Sequence, residues 1–165
     1  ARVALVGFMG SGKSTVGRNL ASRLRYRFVD SDKTIEAKAK ATVSEIFEKH
    51  GEPYFRDLEL SVIRELLREG QQVIATGGGA FVQPDCAAVL LAGAFTVYLR
   101  CDLEETKRRL ARRKGRPLIE NGEASIARLY KEREDTYAQA HATLDTTNKN
   151  PDEVAAALVR LVTPS

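Results

Sequence analysis

The sequence predicts an α/β fold, a parallel β-sheet with helices on both faces. Short apolar runs of four or five residues alternate with longer segments of helical period, the pattern of βαβ crossovers. The first run ends in glycine and leads straight into an amphipathic segment, the strand–loop–helix opening of such a unit. A chain of 165 residues, 43% apolar and 29% charged, supplies one core and no second module, so we expect a single domain over 1–165.

Residues 3–6 are apolar, two of them valine, and read as the first strand. Residues 13–25 read as a helix, with Val16, Leu20 and Leu24 on one face. Phe28 and Val29 form a second short strand ending in acids. Residues 34–40 and 43–50 read as helices, the latter capped by Ser44 and stopped by Gly51. A longer helix over 52–69 carries Pro53 in its first turn and Gly70 at its end. Residues 72–75 form a third strand, closed by Gly77, Gly78 and Gly79.

A short helix over 84–91 and a fourth strand over 95–99 follow. Asp102 and Glu105 make a capping box for a helix to about Arg112. Gly115, Pro117, Asn121 and Gly122 mark 114–122 as a loop. Residues 123–140 are helical, 143–145 form a fifth strand, and Pro151 opens a terminal helix to Val162. Ligands of a parallel sheet bind beyond the carboxyl ends of its strands. The segments of interest are therefore 7–15, 30–33, 76–80 and 100–102.

The first of these, Gly7-Phe8-Met9-Gly10-Ser11-Gly12-Lys13-Ser14-Thr15, fits the phosphate-binding pattern G-x-x-x-x-G-K-[ST] in its proper context. Its glycines let backbone N–H groups curl around phosphate oxygens, and the helix N-terminus adds positive potential. Lys13 reaches the terminal phosphates in this arrangement, and the Ser14 hydroxyl ligates Mg²⁺. Asp30-Ser31-Asp32 ends the second strand. Its carboxylates read either as helix caps or as a divided pair, one holding metal-bound water and the other bonding an acceptor hydroxyl. The glycine triplet reads as a tight turn needing positive φ, as room for a ligand against the backbone, or both. Arg56 and Arg133 read as solvated charges or as carboxylate clamps.

The net charge of +4 suits an anionic ligand without requiring nucleic acid. The basic run Lys107, Arg108, Arg109, Arg112, Arg113, Lys114 and Arg116 flanks Gly115 and Pro117. It lacks interleaved aromatics, so it reads as a mobile lid over a triphosphate at about 112–122 rather than a nucleic-acid surface. The most apolar window, residues 86–99, is shorter than the roughly 18 residues of a membrane span. The N-terminus carries no signal-peptide pattern and begins inside a strand, as if a few residues preceded Ala1. Cys86 and Cys101 make no disulfide framework and read as buried inert thiols, in keeping with a cytoplasmic protein. His50 and His141 have no ligand-spaced partners and read as structural. No long apolar stripe calls for a partner, so a monomer is expected.

Taken together, these residues resemble the shikimate kinase family over nearly the whole chain, from Val3 to about Val162. Residues 7–17 match the family's loop, and Asp30-Ser31-Asp32 with Ile35-Glu36 matches its D-x-D segment. Phe55-Arg56-Asp57-Leu58-Glu59 matches the shikimate-binding region, which spans about 32–60, and Ala75-Thr76-Gly77-Gly78-Gly79 matches the glycine strand end. Arg116-Pro117-Leu118 matches the lid, and Tyr130-Lys131-Glu132-Arg133 with Tyr137 matches the helix of the second arginine.

The resemblance implies a three-layer nucleotide-kinase-like fold with a five-stranded parallel sheet. It also implies ATP- and Mg²⁺-dependent phosphorylation of the 3-hydroxyl of shikimate, on the route to chorismate and aromatic amino acids. Gly10, Ser11, Gly12, Lys13, Ser14 and Thr15 would hold the phosphates, and Arg112 and Pro151 would sandwich the adenine. Ser14 would bind Mg²⁺, with Asp30 acting through water. Asp32 would bond the shikimate hydroxyls as candidate base, Arg56 and Arg133 would grip the carboxylate, and Gly77, Gly78 and Gly79 would line the ring. Arg116 would swing toward the γ-phosphate. Lys40 departs from the family pattern, which has glycine there, and only a local loop change is expected.

Three rival readings share the loop. A gluconate-kinase-like enzyme has less use for two carboxylate-binding arginines. A guanine-nucleotide switch wants N-K-x-D, whereas Asn148-Lys149-Asn150-Pro151 puts Asp152 one place late. A non-catalytic nucleotide-binding module would bind ATP without turnover.

Overall fold

A computed structural model describes residues 1–114 and 120–163. In chain order the elements are β1 (Arg2–Val6), α1 (Lys13–Leu24), β2 (Arg27–Asp30), α2 (Ser31–Ala39), α3 (Val43–His50), α4 (Glu52–Leu66) and β3 (Gln72–Ala75). They continue with α5 (Pro84–Gly93), β4 (Phe95–Arg100), α6 (Leu103–Lys114), α7 (Glu120–Tyr137), β5 (Ala142–Asp145) and α8 (Pro151–Val162). The five strands form one sheet in the order β2-β3-β1-β4-β5, and every pairing is parallel. No helix among the described residues is long and apolar enough to cross a membrane.

Side chains alternate across the sheet, and both faces are buried, as helix-covered parallel strands require. Val3, Leu5, Val73, Val97 and Leu99 pack on one face against Val16 and Leu20 of α1 and Val154 and Leu158 of α8. Ala4, Val6 and Tyr98 point the other way, toward Ile63, Phe81, Leu90, Tyr130 and Tyr137. Leu20 has no exposed surface, so truncating it to alanine would cost about 2–5 kcal/mol. The register pairs Asp30 with Ala75 and Leu5 with Ala75, so the ends of β2, β3 and β1 lie side by side. Gly7, Thr76 and Ser31 therefore leave the sheet at one edge.

Several boundaries differ from the sequence expectation, each for a local reason. Helix α2 starts at Ser31 rather than residue 34, because the Asp30 side chain caps it by accepting the Lys33 N–H at 3.2 Å. Helix α3 is capped by Thr42, not Ser44. Thr42 Oγ1 and the Glu45 carboxylate bond each other's backbone N–H at 3.1 and 2.9 Å. After Leu66 the chain tightens, Arg68 and Glu69 each bonding the carbonyl three residues back at 3.1 Å. Helix α6 opens with half of its expected box. Asp102 accepts the Glu105 N–H at 2.8 Å, but the Glu105 carboxylate turns to arginines, and Thr147 Oγ1 accepts the Asp102 N–H at 3.0 Å. Helix α7 covers residues 120–122, which the sequence assigned to a loop, and ends at Tyr137, three residues early. Lys40 keeps the left-handed conformation of a glycine C-cap, with φ at 54°.

Candidate active site

The loop after β1 reaches α1 through Gly12, whose φ of 85° suits glycine and whose missing β-carbon leaves open space above the helix N-terminus. Lys13 folds back along the loop. Its Nζ donates to the Gly7 carbonyl at 2.8 Å and the Phe8 carbonyl at 3.1 Å. Ser14 Oγ donates to Asp30 Oδ2 at 2.8 Å. Asp30 caps α2 with one carboxylate oxygen, as one of the two sequence readings had it, and its other oxygen accepts from Ser14.

Asp32 stands one residue inside α2, turned toward the glycine triplet. Its Oδ1 is buried and has no hydrogen-bond partner among the described residues. Burial, reinforced by the charge of Asp30, holds this carboxyl above the usual aspartate range. A β-carbon on Gly77 would stand 2.6 Å from Asp32 Oδ1, and one on Gly79 would stand 2.5 Å from Arg56 Nη2. None of the three glycines has positive φ. The triplet does turn, with the Ala80 N–H bonding the Gly77 carbonyl at 3.2 Å, but the expected positive φ is corrected: Gly77 and Gly79 are small because Asp32 and Arg56 press against them.

Arg56 on α4 is held from two sides. Its Nη1 donates to Glu59 Oε1 at 2.7 Å and its Nε to Glu52 Oε2 at 3.2 Å. Glu59 is only 1% exposed, and burial pushes its pKa up against the opposing pull of Arg56. Arg133 on α7 reaches the same place from across the site, donating from Nη1 to the Gly78 carbonyl at 3.2 Å. Two arginines distant in sequence thus bracket one glycine triplet.

A cavity of about 830 Å³ joins the phosphate loop to Asp30, Asp32, Gly77 and Gly78, while Arg56, Gly79 and Arg133 are not among its lining residues. A neighbouring cavity of about 380 Å³ is lined by Ser11, Thr15, Arg109, Arg112 and Pro151, and Arg109 and Arg112 border both. Arg109, which the sequence left in the basic run without a role, is the arginine against the loop. Its guanidinium lies 3.5 and 3.4 Å from the Gly10 and Ser11 carbonyls and 3.4 Å from that of Thr146. Arg112 is 67% exposed and pairs with Glu105 at 3.2 Å. Buried Thr106 and Leu110 set the phase of α6, and that phase is the signal that could have singled out Arg109. Arg116 lies outside the described residues, as do positions 115–119 of the expected lid.

The remaining titratable side chains have structural places. Cys86 and Cys101 are buried and free, and burial pushes the Cys86 thiol up to about 12. His50 stacks on Tyr54, and His141 Nδ1 accepts the Thr96 N–H at 2.9 Å.

A parallel sheet, a phosphate loop at its edge and a polar acceptor cavity beside that loop define a P-loop kinase. A family model for shikimate kinase matches residues 9–163. The chain is 51% identical to shikimate kinase of Nitrobacter winogradskyi over 144 residues, 86% of this chain and 67% of that one. It is 45% identical to shikimate kinase of Bradyrhizobium diazoefficiens over 154 residues, 92% of this chain and 74% of that one. A solved structure of shikimate kinase from Acinetobacter baumannii in complex with shikimate superimposes with a TM-score of 0.90 at 41% identity, covering 98% of this chain and 92% of that one. The shikimate kinase of Aquifex aeolicus gives 0.88 at 34%, covering 97% and 95%. The chain belongs to the shikimate kinase family.

Proposed function

We propose that this chain transfers the γ-phosphoryl group of ATP to the 3-hydroxyl of shikimate, releasing ADP and shikimate 3-phosphate. The observation that carries the reading is the convergence of Arg56, Arg133 and Asp32 on one glycine triplet, beside the cavity that Lys13 enters. Two guanidinium groups suit a single carboxylate, and a carboxyl between them and the phosphate loop suits a hydroxyl. A gluconate-type acceptor would not account for both arginines so directly.

Phosphoryl transfer asks for positioning and charge more than covalent chemistry. Lys13 would leave the loop carbonyls for phosphate oxygens. Asp32 would accept the hydrogen bond of the reacting hydroxyl and, as base, its proton; a carboxyl lifted by burial is the stronger proton acceptor. Arg56 and Arg133 would fix the ring so that this hydroxyl faces the phosphate, and Arg109 with Pro151 would border the adenine.

The donor set fits Mg²⁺. Ser14 Oγ and Asp30 Oδ2, both hard oxygens 2.8 Å apart, adjoin the phosphate loop. Among the described residues no cluster of three or more His, Cys, Asp or Glu could hold a metal. Bound there, the ion would supply charge to the phosphates. The buried thiols suit the cytoplasm. The scattered exposed apolar residues Met9, Tyr54 and Leu161 suit a monomer.

The test is ADP release from ATP and Mg²⁺ with shikimate, with quinate and gluconate as controls and the product identified by mass. Shikimate-dependent release is expected. ATP binding without it would overturn the reading in favour of a non-catalytic module.

A further inference from the structure

The Gly78 carbonyl accepts two hydrogen bonds from one helix. Arg133 Nη1 donates to it at 3.2 Å, and the Tyr137 hydroxyl donates to the same oxygen. The donors stand four residues apart on α7, so one face of the helix presents both. Tyr137 is 1% exposed, and its ring stacks on Tyr98 with centroids 5.2 Å apart. That packing fixes the aim of the hydroxyl.

Arg133 and Arg56 differ in their partners. Arg56 is neutralised by Glu52 and Glu59. Among the described residues no carboxylate lies within ion-pair distance of Arg133, which rests on a carbonyl and lies 6.0 Å from the Phe8 ring centroid. A guanidinium that leaves a half-buried carbonyl for a substrate normally strands that oxygen, and the loss counts against binding. Here the oxygen keeps a second donor.

Resting on the shikimate kinase reading, we propose that Tyr137 is a positioning residue for the carboxylate clamp: its hydroxyl keeps the Gly78 carbonyl satisfied and so frees Arg133 to meet the carboxylate of the acceptor. Without the hydroxyl, the carbonyl would hold Arg133 as its remaining side-chain donor and compete with substrate for it.

The experiment is a double-mutant cycle over wild type, Tyr137→Phe, Arg133→Ala and the double variant, with KM for each substrate, kcat and melting temperature measured. Tyr137→Phe should raise shikimate KM roughly five- to tenfold, with kcat, ATP KM and melting temperature close to wild type. In the Arg133→Ala background the same change should leave shikimate KM nearly unmoved. Partial unfolding would lower apparent kcat and leave KM alone, so it cannot imitate this split. An unaltered shikimate KM, an equal rise with and without Arg133, or a Tyr137→Phe protein that fails to fold as wild type does would each overturn the proposal. A wild type with no shikimate-dependent ADP release would overturn the functional reading as well; an active wild type with an insensitive variant would overturn this proposal alone.

Discussion

Asp32 Oδ1 lies 2.6 Å from the point where a β-carbon on Gly77 would stand. The carboxylate and the glycine occupy one space between them, although 45 positions separate them in the chain. Gly77→Ala should therefore push Asp32 off its position without disturbing the phosphate loop. We expect kcat to fall about 100-fold, the scale of an ångström-sized misplacement, while ATP binding measured by titration stays close to wild type. Retained kcat would show that Asp32 need not stand where it does.

Asp32 also costs stability. Its pKa is raised in the fold by burial and by Asp30, so the folded chain holds this proton to a higher pH than the unfolded chain does. Stability therefore falls as pH rises from the ordinary aspartate value through the raised one, and the penalty is complete above the latter. Asp32→Asn removes it. The variant should lose turnover yet melt a few degrees higher near pH 7, a gain of about 1 kcal/mol. The gain should shrink as pH falls below the ordinary aspartate value, toward pH 3, where the wild-type carboxyl is largely neutral in both states. Melting curves at the two pH values decide it, and an equal gain at both would discard the titration argument.

The two arginines of the clamp should fail differently. Arg133→Ala removes a side chain with no carboxylate partner among the described residues, so the fold should survive and shikimate KM should rise roughly 10- to 100-fold, the worth of a charged hydrogen bond. Arg56→Ala strips the cation from Glu59, which is 1% exposed. That variant should lose about 3 kcal/mol of stability as well. Adding Glu59→Gln should recover part of the loss, as a melting comparison of the single and double variants would reveal.

What the sequence made legible was local. The glycine loop, the alternating strands and Pro151 at a helix start all act within a few residues, and the structure has them at the expected places. Thr42 was legible too, since Glu45 stands three residues on, as a reciprocal box demands, whereas Ser44 has Phe47 there. Other features depend on residues far away in the chain. Gly77 and Gly79 are small because of Asp32 and Arg56, not because of their own φ values. Glu59 sits inside a quoted motif, but its role follows from the salt bridge and burial that α4 imposes. Which of Arg109 and Arg112 meets the loop carbonyls depends on the rotational phase of α6, which the half-formed cap at Asp102 and buried Thr106 and Leu110 fix.

That choice has its own test. Both arginines pair with Glu105, but Arg109 also touches the carbonyls of Gly10, Ser11 and Thr146, while Arg112 is exposed. Exposed pairs contribute little, about 0–1 kcal/mol. Arg109→Ala should raise ATP KM roughly tenfold and leave shikimate KM nearly unchanged, whereas Arg112→Ala should change ATP KM by no more than about threefold. The reverse order would return the adenine contact to Arg112.

Lys40 isolates a single backbone effect. It caps α2 with φ at 54°, a conformation that costs a residue with a β-carbon roughly 1–2 kcal/mol, and its N–H still bonds the Glu36 carbonyl. Glycine relieves that cost but adds freedom to the unfolded chain, which returns about 0.5–1 kcal/mol. Lys40→Gly should therefore stabilise the protein by about 0.5–1 kcal/mol, a rise of roughly 1–4 °C for a chain of this size. The Lys40 side chain has no hydrogen bond or ion pair among the described contacts, so kinetics should not move. A lower melting temperature would mean that its aliphatic stem covers apolar surface and outweighs the backbone relief.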